Sequence, residues 1–348
     1  MSHINKMKHV VIAMSGGVDS ATAAVMAREA GYRTTGVTLR MRETAPETQA
    51  VLDEVVSRLD IPLHTLDREK EFLQRVLIPA AEEYASGRTP NPCCECNKCF
   101  KFAELLDFTR SIGADELWTG HYAVISQEKD LFHLKRGLDT GKDQSYFLYK
   151  LTPEMLQMIR FPLGGYTKQA IRDFAAERGF AFAKKPDSQD ICFAVPDESC
   201  GETLRKAAQL PPCPGRFIYN GKTVGRHTGF HKFTIGQRNG HGIALGKPAY
   251  ISKIDASTGS VELVTDKELL ACRCFYLENV NQLLPVLPQE GLTVQIRYRS
   301  RPVPCRVTPL SPERWQVTPE QPLYAVTPGQ AGVLYLGYEV AGGGVICL

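Results

Sequence analysis

Two cysteines of this chain, Cys96 and Cys192, stand in surroundings suited to sulfur chemistry. The thiolate is the nucleophilic form of cysteine, and a helix N-terminus or a nearby cation lowers the thiol pKa. The pattern predicts a helix that starts at Cys96, beside Lys98, while Cys192 follows the pair Lys184-Lys185 by several residues. Each is a candidate nucleophile. For Cys192 considered without its neighbours, a role as a small buried apolar side chain is the better interpretation.

The total number of cysteines and their spacing add to this picture. The chain has eleven, an odd number, and four of them crowd together at Cys93, Cys94, Cys96 and Cys99. In a reducing compartment such a group is typical of metal binding or sulfur chemistry rather than of a disulfide framework.

A glycine-containing loop provides a second candidate site. The string Ser15-Gly16-Gly17-Val18-Asp19-Ser20 stands between a predicted strand and a predicted helix. Glycines let the backbone approach a phosphate closely, and a helix N-terminus offers N–H donors and a positive dipole end. Asp19 is suited to capping the helix or holding Mg²⁺. The loop has no Gly-Lys-Ser/Thr ending, so it is not a Walker A loop, and its spacing fits a plain strand-to-helix turn equally well.

The elements around this loop alternate between strand and helix. Apolar runs predict strands over 10–14, 34–39 and 61–66, with an alanine-rich helix over 20–30 that Gly31 closes. A further helical pattern covers 167–178. This order predicts a doubly wound parallel sheet with helices on both faces and a ligand site at the carboxyl ends of its strands.

The character of the chain changes after residue 205, where Gly and Pro become frequent and helical periodicity fades. Apolar and polar residues alternate over 294–299 and again over 303–307, which predicts half-buried antiparallel strands. We therefore expect an α/β domain over 1–205, a small Gly-rich β module over 206–272, and a C-terminal β-barrel or β-sandwich over 273–348.

Composition sets the broad class of protein. Of the 348 residues, 43% are hydrophobic and 23% are charged, as in soluble globular proteins. The net charge of +3 permits a nucleic-acid partner without requiring one. No apolar run approaches the roughly 20 residues that span a bilayer, and the first residues do not resemble a signal peptide. We expect no membrane association and a cytoplasmic location.

Several motifs together resemble those of a known family. The glycine loop resembles the signature of the PP-loop ATP pyrophosphatases, which cleave ATP to AMP and pyrophosphate while adenylating a substrate. The whole chain resembles the tRNA-specific 2-thiouridylases, which convert the wobble uridine (position 34) of certain tRNAs to 2-thiouridine. The shared segments, in chain order, are 87–92 (GRTPNP), 96–98 (CNK), 119–122 (TGHY), 137–139 (GLD), 142–147 (KDQSYF), 187–193 (DSQDICF), 234–238 (TIGQR), 297–299 (RYR) and 327–330 (TPGQ).

The resemblance implies roles for particular residues. Catalysis is expected from Cys96, Cys192 and Asp19, with Mg²⁺ offsetting the phosphate charge. ATP is expected at Ala13, Met14, Ser15, Gly16, Gly17, Val18, Asp19, Ser20, Leu39 and Gly120. Contact with tRNA is expected from Asn91, Pro92, Cys93, His121, Lys142, Asp143, Gln144, Arg297, Tyr298 and Gln330. The implied partners are tRNAs for Lys, Glu and Gln and a persulfide or sulfide donor, such as a cysteine desulfurase or a sulfur-relay protein.

One departure from the family concerns the form of the sulfur. The family usually has an acidic residue where this chain has Cys93, so Cys93 and Cys96 form a Cys-x-x-Cys pair. Three interpretations stay open: a [4Fe-4S] cluster on Cys93, Cys96 and Cys192 with one iron open to sulfide, a persulfide on Cys192 with a transient disulfide to Cys96, and a zinc site that includes Cys99.

A second departure is the stretch 41–49, which is shorter than in relatives and is expected near the nucleotide. Two rival functions are another ATP pyrophosphatase and a non-catalytic RNA-binding protein with structural zinc. The first gives no reason for the two cysteine segments, and the second gives none for the glycine loop.

Overall fold

The structure is a computed structural model that describes residues 7–186 and 191–348. Its strands in the described ranges are β1 (His9–Ala13), β2 (Arg33–Arg40), β3 (Leu63–Asp67), β4 (Glu116–Thr119), β5 (Ala123–Glu128), β6 (Leu131–Arg136), β7 (Ile159–Arg160), β8 (Gly215–Tyr219), β9 (Lys222–His227), β10 (Tyr250–Asp255), β11 (Ser260–Val264), β12 (Ala271–Cys272), β13 (Phe275–Gln282), β14 (Leu292–Gln295), β15 (Val303–Ser311), β16 (Arg314–Pro319), β17 (Leu323–Tyr324), β18 (Ala331–Leu336) and β19 (Glu339–Cys347).

The α-helices of the same ranges are α1 (Val18–Glu29), α2 (Pro46–Leu59), α3 (Glu69–Phe72), α4 (Ile78–Ala85), α5 (Pro92–Cys96), α6 (Ala103–Ser111), α7 (Ser145–Leu148), α8 (Pro153–Met158), α9 (Lys168–Glu177) and α10 (Cys200–Ala207). Shorter helical pieces are the π-helical Leu73–Leu77 and Asn97–Phe102 and the 3₁₀ turns Ala181–Lys184, Phe230–Lys232 and Lys267–Leu270.

The described residues form two compact units. One contains 7–72, 96–186 and 338–340, and the other contains 73–95, 191–337 and 341–348. Residues 187–190, the first part of the predicted family segment 187–193, lie outside the described residues.

The first unit is built on a parallel sheet with strand order β3-β2-β1-β4-β7. Val10, Val11 and Ile12 of β1 are fully buried, as is typical of a parallel strand covered on both faces. The alanines of α1 pack closely over this sheet. Gly31 (φ +81°) and Gly179 (φ +68°) follow α1 and α9 in the left-handed conformation. The predicted doubly wound fold is therefore confirmed.

The second unit contains a small β module and a barrel. The module is a sheet of order β10-β11-β8-β9 around Phe217, Ile251 and Val261. The order β13-β16-β15-β14-β18-β19 is closed by pairing of β13 with β19, which makes a six-stranded barrel. A closed barrel leaves no unpaired edge strand. The predicted combination of α/β domain, central β module and C-terminal barrel is confirmed.

The alternation over 294–299 gave a wrong boundary. Strand β14 ends at Gln295, and the residues after it form turns. The Gln295 amide donates to the carbonyl oxygens of Arg297 (3.1 Å) and Tyr298 (2.6 Å), so a buried side chain satisfies a turn where the pattern predicted a strand. Arg297 and Arg299 therefore do not project from one strand face.

No helix in the described ranges is long and apolar enough to cross a membrane.

Candidate active site

The glycine loop lies where the strand order of the parallel sheet reverses. It follows β1, whose neighbours β2 and β4 lie on opposite sides, and ligands of open α/β sheets bind in such crevices. Helix α1 begins after Gly17, which provides no side-chain cap, so its first N–H groups depend on other acceptors. The Ser20 hydroxyl instead accepts from the N–H of Ser15 (3.1 Å) and donates to the carbonyl of Gly17 (3.2 Å). These bonds hold the loop curled around the helix N-terminus.

Gly16 and the start of α2 lie in direct contact. Gly16 has φ +70°, and a Cβ there would lie 2.4 Å from a methyl carbon of Thr48. Lys185 donates to the carbonyl oxygens of Gly16 (3.0 Å) and Glu47 (3.1 Å), which joins the loop to that segment. The shortened stretch 41–49 therefore ends in a helix that packs against the glycine loop.

Asp19 is held by two residues to which the sequence assigned no role. Its Oδ1 accepts from the hydroxyl of Tyr122 (2.7 Å) and from the ammonium of Lys168 (2.7 Å). A Cβ on Gly120 would lie 2.7 Å from the Ser20 nitrogen, so only glycine allows the chain after β4 to approach α1 so closely. A signal for Lys168 was available, because a lysine in the first turn of a helix opposes the helix dipole.

The other expected nucleotide residues lie in or next to the elements that carry the glycine loop. Met14 is buried and its N–H donates to the Val37 carbonyl (2.8 Å), while Val18 is the buried first residue of α1. Ala13 ends β1, and Leu39 lies half-buried in β2. The structure thus brings residues 13–20, Leu39 and Gly120 to one end of the sheet.

Cys96 does not start a helix, which corrects the sequence prediction. Helix α5 begins at Pro92 and ends at Cys96, and the π-helical segment Asn97–Phe102 follows directly. Cys96 is 6% exposed, and the buried Asn97 amide donates to the Phe147 carbonyl (3.0 Å). Proline is favoured at the first helical position, and the helix accordingly starts at Pro92. Cys96 therefore lies at the end of this helix, and the helix N-terminus does not activate its thiol.

His121 is packed among aromatic rings. The ring centroids of Phe102 and Phe161 lie 5.5 and 5.6 Å from that of His121, and its Nδ1 lies 2.7 Å from the Thr119 hydroxyl. Burial, with a smaller contribution from Lys101, lowers the pKa of His121 to about 3. His121 is therefore neutral at physiological pH.

The turn at 142–144, which is expected to contact RNA, is stabilised by hydrogen bonds to the buried side chain of Asp143. The buried Asp143 carboxylate accepts from Arg136 (2.9 Å), from the N–H of Gly137 (3.0 Å) and from both the N–H and hydroxyl of Ser145. Lys142 lies half-buried beside it. Asp143 thus supports this turn and does not present a charge to solvent.

In the second unit, two motifs far apart in sequence pack together. Thr89 donates its N–H to the Pro328 carbonyl (2.9 Å), and the Gln330 amide donates to the carbonyl of Thr89 (2.9 Å). The Asn91 side chain accepts from the N–H of Cys94 (3.4 Å), as a residue before a helix start does. Asn91, Pro92 and Cys93 are therefore held by the turn that contains Gln330.

Cys192 lies at an exposed turn. The N–H of Ala194 donates to the Ile191 carbonyl (2.9 Å), which places Cys192 and Phe193 at the two central positions. Phe193 packs against the apolar cluster around Tyr84 and Leu204 on helices α4 and α10. Phe193 thus anchors the turn through apolar packing, and Cys192 beside it is exposed.

Arg297 is used within the second unit. Its Nη2 lies within hydrogen-bond distance of the carbonyl oxygens of Ile235 (3.0 Å) and Ala325 (3.2 Å) and of the Thr327 hydroxyl (3.1 Å). Tyr298 follows in the turn and is half-buried. Arg297 therefore links the β module to the barrel segment that precedes Gln330.

No group of three or more His, Cys, Asp or Glu side chains in residues 7–186 and 191–348 is arranged to hold a metal ion. The cluster set Cys93, Cys96 and Cys192 and the zinc set that includes Cys99 are therefore not among assembled metal groups in these ranges.

Comparison with known proteins agrees with this architecture. Residues 8–196 match the family profile described as the tRNA methyl transferase HUP domain, residues 207–265 the tRNA methyl transferase PRC-barrel domain, and residues 272–346 the aminomethyltransferase beta-barrel domain. Fold and loop thus define a protein of the PP-loop class with two appended β domains.

Curated relatives narrow the class. The tRNA-specific 2-thiouridylase MnmA of Syntrophotalea carbinolica is 42% identical over 98% of this chain and 99% of its own length. Those of Geotalea uraniireducens and Chloroflexus aurantiacus are 41% and 40% identical, each over 98% of this chain and over 96% and 98% of their own lengths. The chain belongs to the family of tRNA-specific 2-thiouridylases, which are sulfurtransferases.

Solved structures match less closely. A 4-thiouridine synthetase in complex with RNA and bound ATP has a TM-score of 0.36 and 18% identity, and covers 58% of this chain and 50% of its own. A predicted subunit of tRNA methyltransferase from Methanocaldococcus jannaschii has a TM-score of 0.32, 17% identity, and coverages of 49% and 76%. Neither likeness carries an argument about this site.

Proposed function

We propose that this chain thiolates C2 of the wobble uridine (position 34) of tRNA, with ATP as the activating substrate. The observation that carries the proposal is the glycine loop at the sheet switch point, with an uncapped helix N-terminus and Asp19 fixed beside it. Family membership supplies the reaction class. We assign residues 1–205 to adenylation and sulfur transfer, 206–272 to the β module and 273–348 to tRNA binding.

In the first step, the glycine loop binds the ATP phosphates through N–H donors at the start of α1. The uridine O2 attacks the α-phosphorus, a P–O bond to O2 forms, and pyrophosphate leaves. The second carboxylate oxygen of Asp19 suits a hard cation such as Mg²⁺, which supplies charge neutralisation at the phosphates. Leu39 and Gly120 line the nucleotide side.

In the second step, sulfur replaces the activated oxygen. A persulfide on Cys192 attacks C2 through its terminal sulfur, the C2–O bond breaks, and AMP leaves. The Cys96 thiolate then attacks the Cys192 sulfur, which breaks the S–S bond, leaves 2-thiouridine and forms a Cys96–Cys192 disulfide. An external thiol reductant returns the enzyme to its starting state. Cys192 at an exposed turn suits a thiol that must be loaded by a donor protein, such as a cysteine desulfurase or a sulfur-relay protein.

The alternative is the cluster route, in which Cys93, Cys96 and Cys192 hold a [4Fe-4S] cluster. The residues searched give no three-ligand group, so no step is derived through a [4Fe-4S] cluster. Iron and acid-labile sulfide analysis of anaerobically prepared protein separates the two routes, because the persulfide route requires neither element.

The tRNA contacts divide into two kinds. We propose that Lys142, Tyr298 and the Asn91-Pro92-Cys93 turn touch RNA directly, with His121 next to the bound strand. Asp143, Gln144, Arg297 and Gln330 hold the backbone of these contact surfaces. The substrates are tRNAs of the Lys, Glu and Gln acceptor types, and the reaction takes place in the cytoplasm.

The deciding experiment supplies unmodified tRNA transcript, ATP and a persulfide donor, and measures 2-thiouridine by nucleoside mass spectrometry and pyrophosphate release. We expect tRNA-dependent pyrophosphate release from the wild type. Cys192→Ala and Cys96→Ala should lose 2-thiouridine while still releasing pyrophosphate, because adenylation precedes sulfur transfer. Cys93→Ala tests the extra cysteine, and Cys213→Ala, outside both motifs, is the matched control. Absence of both products from the wild type would favour a non-catalytic RNA-binding protein.

A further inference from the structure

Two residues without an assigned role, Lys168 and Tyr122, contact the nucleotide loop at one atom. Both donate to Oδ1 of Asp19 at 2.7 Å. Lys168 is 9% exposed and Tyr122 is 3% exposed, while the Asp19 side chain is 32% exposed, so two buried donors meet a partly exposed carboxylate. The Lys168 ammonium also lies 5.9 Å from the Tyr122 ring centroid.

Tyr122 is bonded at its backbone to the turn expected to meet RNA. Its N–H donates to the side-chain oxygen of Gln144 (2.9 Å), and its carbonyl accepts from the N–H of Gln144 (2.8 Å). Two hydrogen bonds thus join Gln144 to the backbone of Tyr122. A displacement of Gln144 is therefore transmitted to the hydroxyl that Tyr122 places on Asp19.

Lys168 provides a second, independent path. Its backbone N–H donates to the Asp139 carboxylate (2.9 Å), whose other oxygen accepts from the N–H of Gly141 (3.1 Å). The Asp139 carbonyl accepts from the N–H of Lys142 (3.0 Å). Lys168, at the start of α9, thus bonds to the 139–142 turn through its backbone N–H and to Asp19 through its side-chain ammonium.

The turn itself is rigid at its centre. Asp143 is buried and accepts four hydrogen bonds from Arg136, Gly137 and Ser145. Residues 139–144 are therefore joined by two hydrogen-bonded paths to one oxygen of the nucleotide loop.

We propose that Lys168 and Tyr122 are positioning residues that couple RNA binding at 142–144 to nucleotide binding at Asp19, so that each ligand strengthens binding of the other. The inference rests on the proposed function for the identity of the two ligands. Binding linkage is reciprocal, and couplings between sites commonly correspond to factors of about 5–150 in affinity. Such coupling limits ATP cleavage in the absence of a uridine acceptor.

The test measures the dissociation constant of a non-hydrolysable ATP analogue by titration calorimetry, with and without saturating unmodified tRNA. In the wild type we expect tRNA to tighten analogue binding at least about 5-fold. In Lys168→Met and Tyr122→Phe the ratio should fall below about 2-fold, and Lys168→Arg should recover part of it because the charge is retained. Gln169→Ala, an exposed neighbour on α9 that pairs with Asp173, should behave as wild type.

Several results would overturn the inference. One is that Lys168→Met keeps the wild-type ratio of analogue affinities with and without tRNA. Another is that Lys168→Met binds the analogue equally more weakly in both conditions. Either result would assign Lys168 a purely local role. Wild-type protein that forms 2-thiouridine but binds the two ligands independently would remove the coupling and leave the proposed function intact. Wild-type protein that neither binds tRNA nor forms 2-thiouridine would remove both. Circular dichroism melting shows whether each variant is folded. If Lys168→Met is unfolded, Tyr122→Phe and Lys168→Arg still test the coupling.

Discussion

The side-chain amide of Gln330 donates a 2.9 Å hydrogen bond to the carbonyl oxygen of Thr89, across 241 positions of sequence. A second contact reaches the Pro90 carbonyl at 3.3 Å. Gly329, with φ +91°, lets the two turns meet, since a Cβ there would lie 3.0 Å from Thr89 backbone atoms. The turn before Asn91 is therefore shaped by a residue of the distant Pro-Gly turn.

We expect Gln330→Ala to loosen the turn at 87–94 and lower the free energy of unfolding by about 1 kcal/mol, the usual net value of a hydrogen bond. Gln330→Glu should cost more, because a carboxylate cannot donate to two carbonyl oxygens. Hydrogen exchange of peptides covering 87–94 measures the loosening. Unchanged protection in both variants would contradict the supporting role and leave Gln330 a direct contact only.

Gly16 should tolerate alanine less well than another glycine of similar backbone conformation. Gly16→Ala adds left-handed strain of about 1–2 kcal/mol and also drives a Cβ to within 2.4 Å of Thr48. Gly31→Ala adds the strain alone, because no atom lies within 4 Å of its Cβ position. Urea unfolding should show a loss of about 1 kcal/mol for Gly31→Ala and a loss at least twice as large for Gly16→Ala. Equal losses would show that Thr48 moves aside freely.

Glu202 predicts a pH dependence of stability in the second unit. Hydrogen bonds from Arg205 and from His231, with Lys232 nearby, lower the pKa of Glu202 to about 2. Its contribution is present above the ordinary value of about 4.5 and is lost as pH falls toward 2. Glu202→Gln should therefore lower the free energy of unfolding by about 3 kcal/mol at pH 7.

The difference between wild type and Glu202→Gln should shrink below pH 4.5, as measured by urea unfolding at a series of pH values. The exposed Glu82→Gln on α4 is the control, with an expected change under about 0.5 kcal/mol. A pH-independent gap for Glu202→Gln would mean that lost packing, and not charge, explains the effect.

Arg297 and the exposed Arg299 should differ in tRNA binding. Arg297→Ala removes a link to the Ile235, Ala325 and Thr327 oxygens, so we expect a stability loss of about 2 kcal/mol and weaker tRNA binding with an unchanged salt slope. Arg299→Ala should leave stability unchanged and reduce the slope of log affinity against log salt by about 0.7–0.9 if Arg299 meets a phosphate. Filter binding at several salt concentrations measures both slopes. A reduced slope for Arg297→Ala would show direct phosphate contact.

The local patterns of the sequence were sufficient for the parallel sheet, the glycine loop at its switch point, the glycine helix ends and the presence of C-terminal strands, whereas closure of the barrel depends on the pairing of β13 with β19. Strand runs, helix periodicity and glycine turns act over a few residues, so their signals survive without tertiary information. The same locality explains two errors. A helix start was predicted at Cys96, whereas the helix begins at Pro92. Alternation was also carried past Gln295 into a turn that a buried amide stabilises.

Contacts between distant positions were decided only by the tertiary structure. Asp19 was identified from the loop, but its partner Lys168 is 149 residues away, and nothing in the residues around Lys168 names Asp19. In the same way, Asp143 and Arg297 carry charges that the sequence places with RNA and that the fold uses internally. The sequence shows that a residue is charged and therefore what it can bind. Packing determines which partner it has, because a charge removed from water must be paired within the fold.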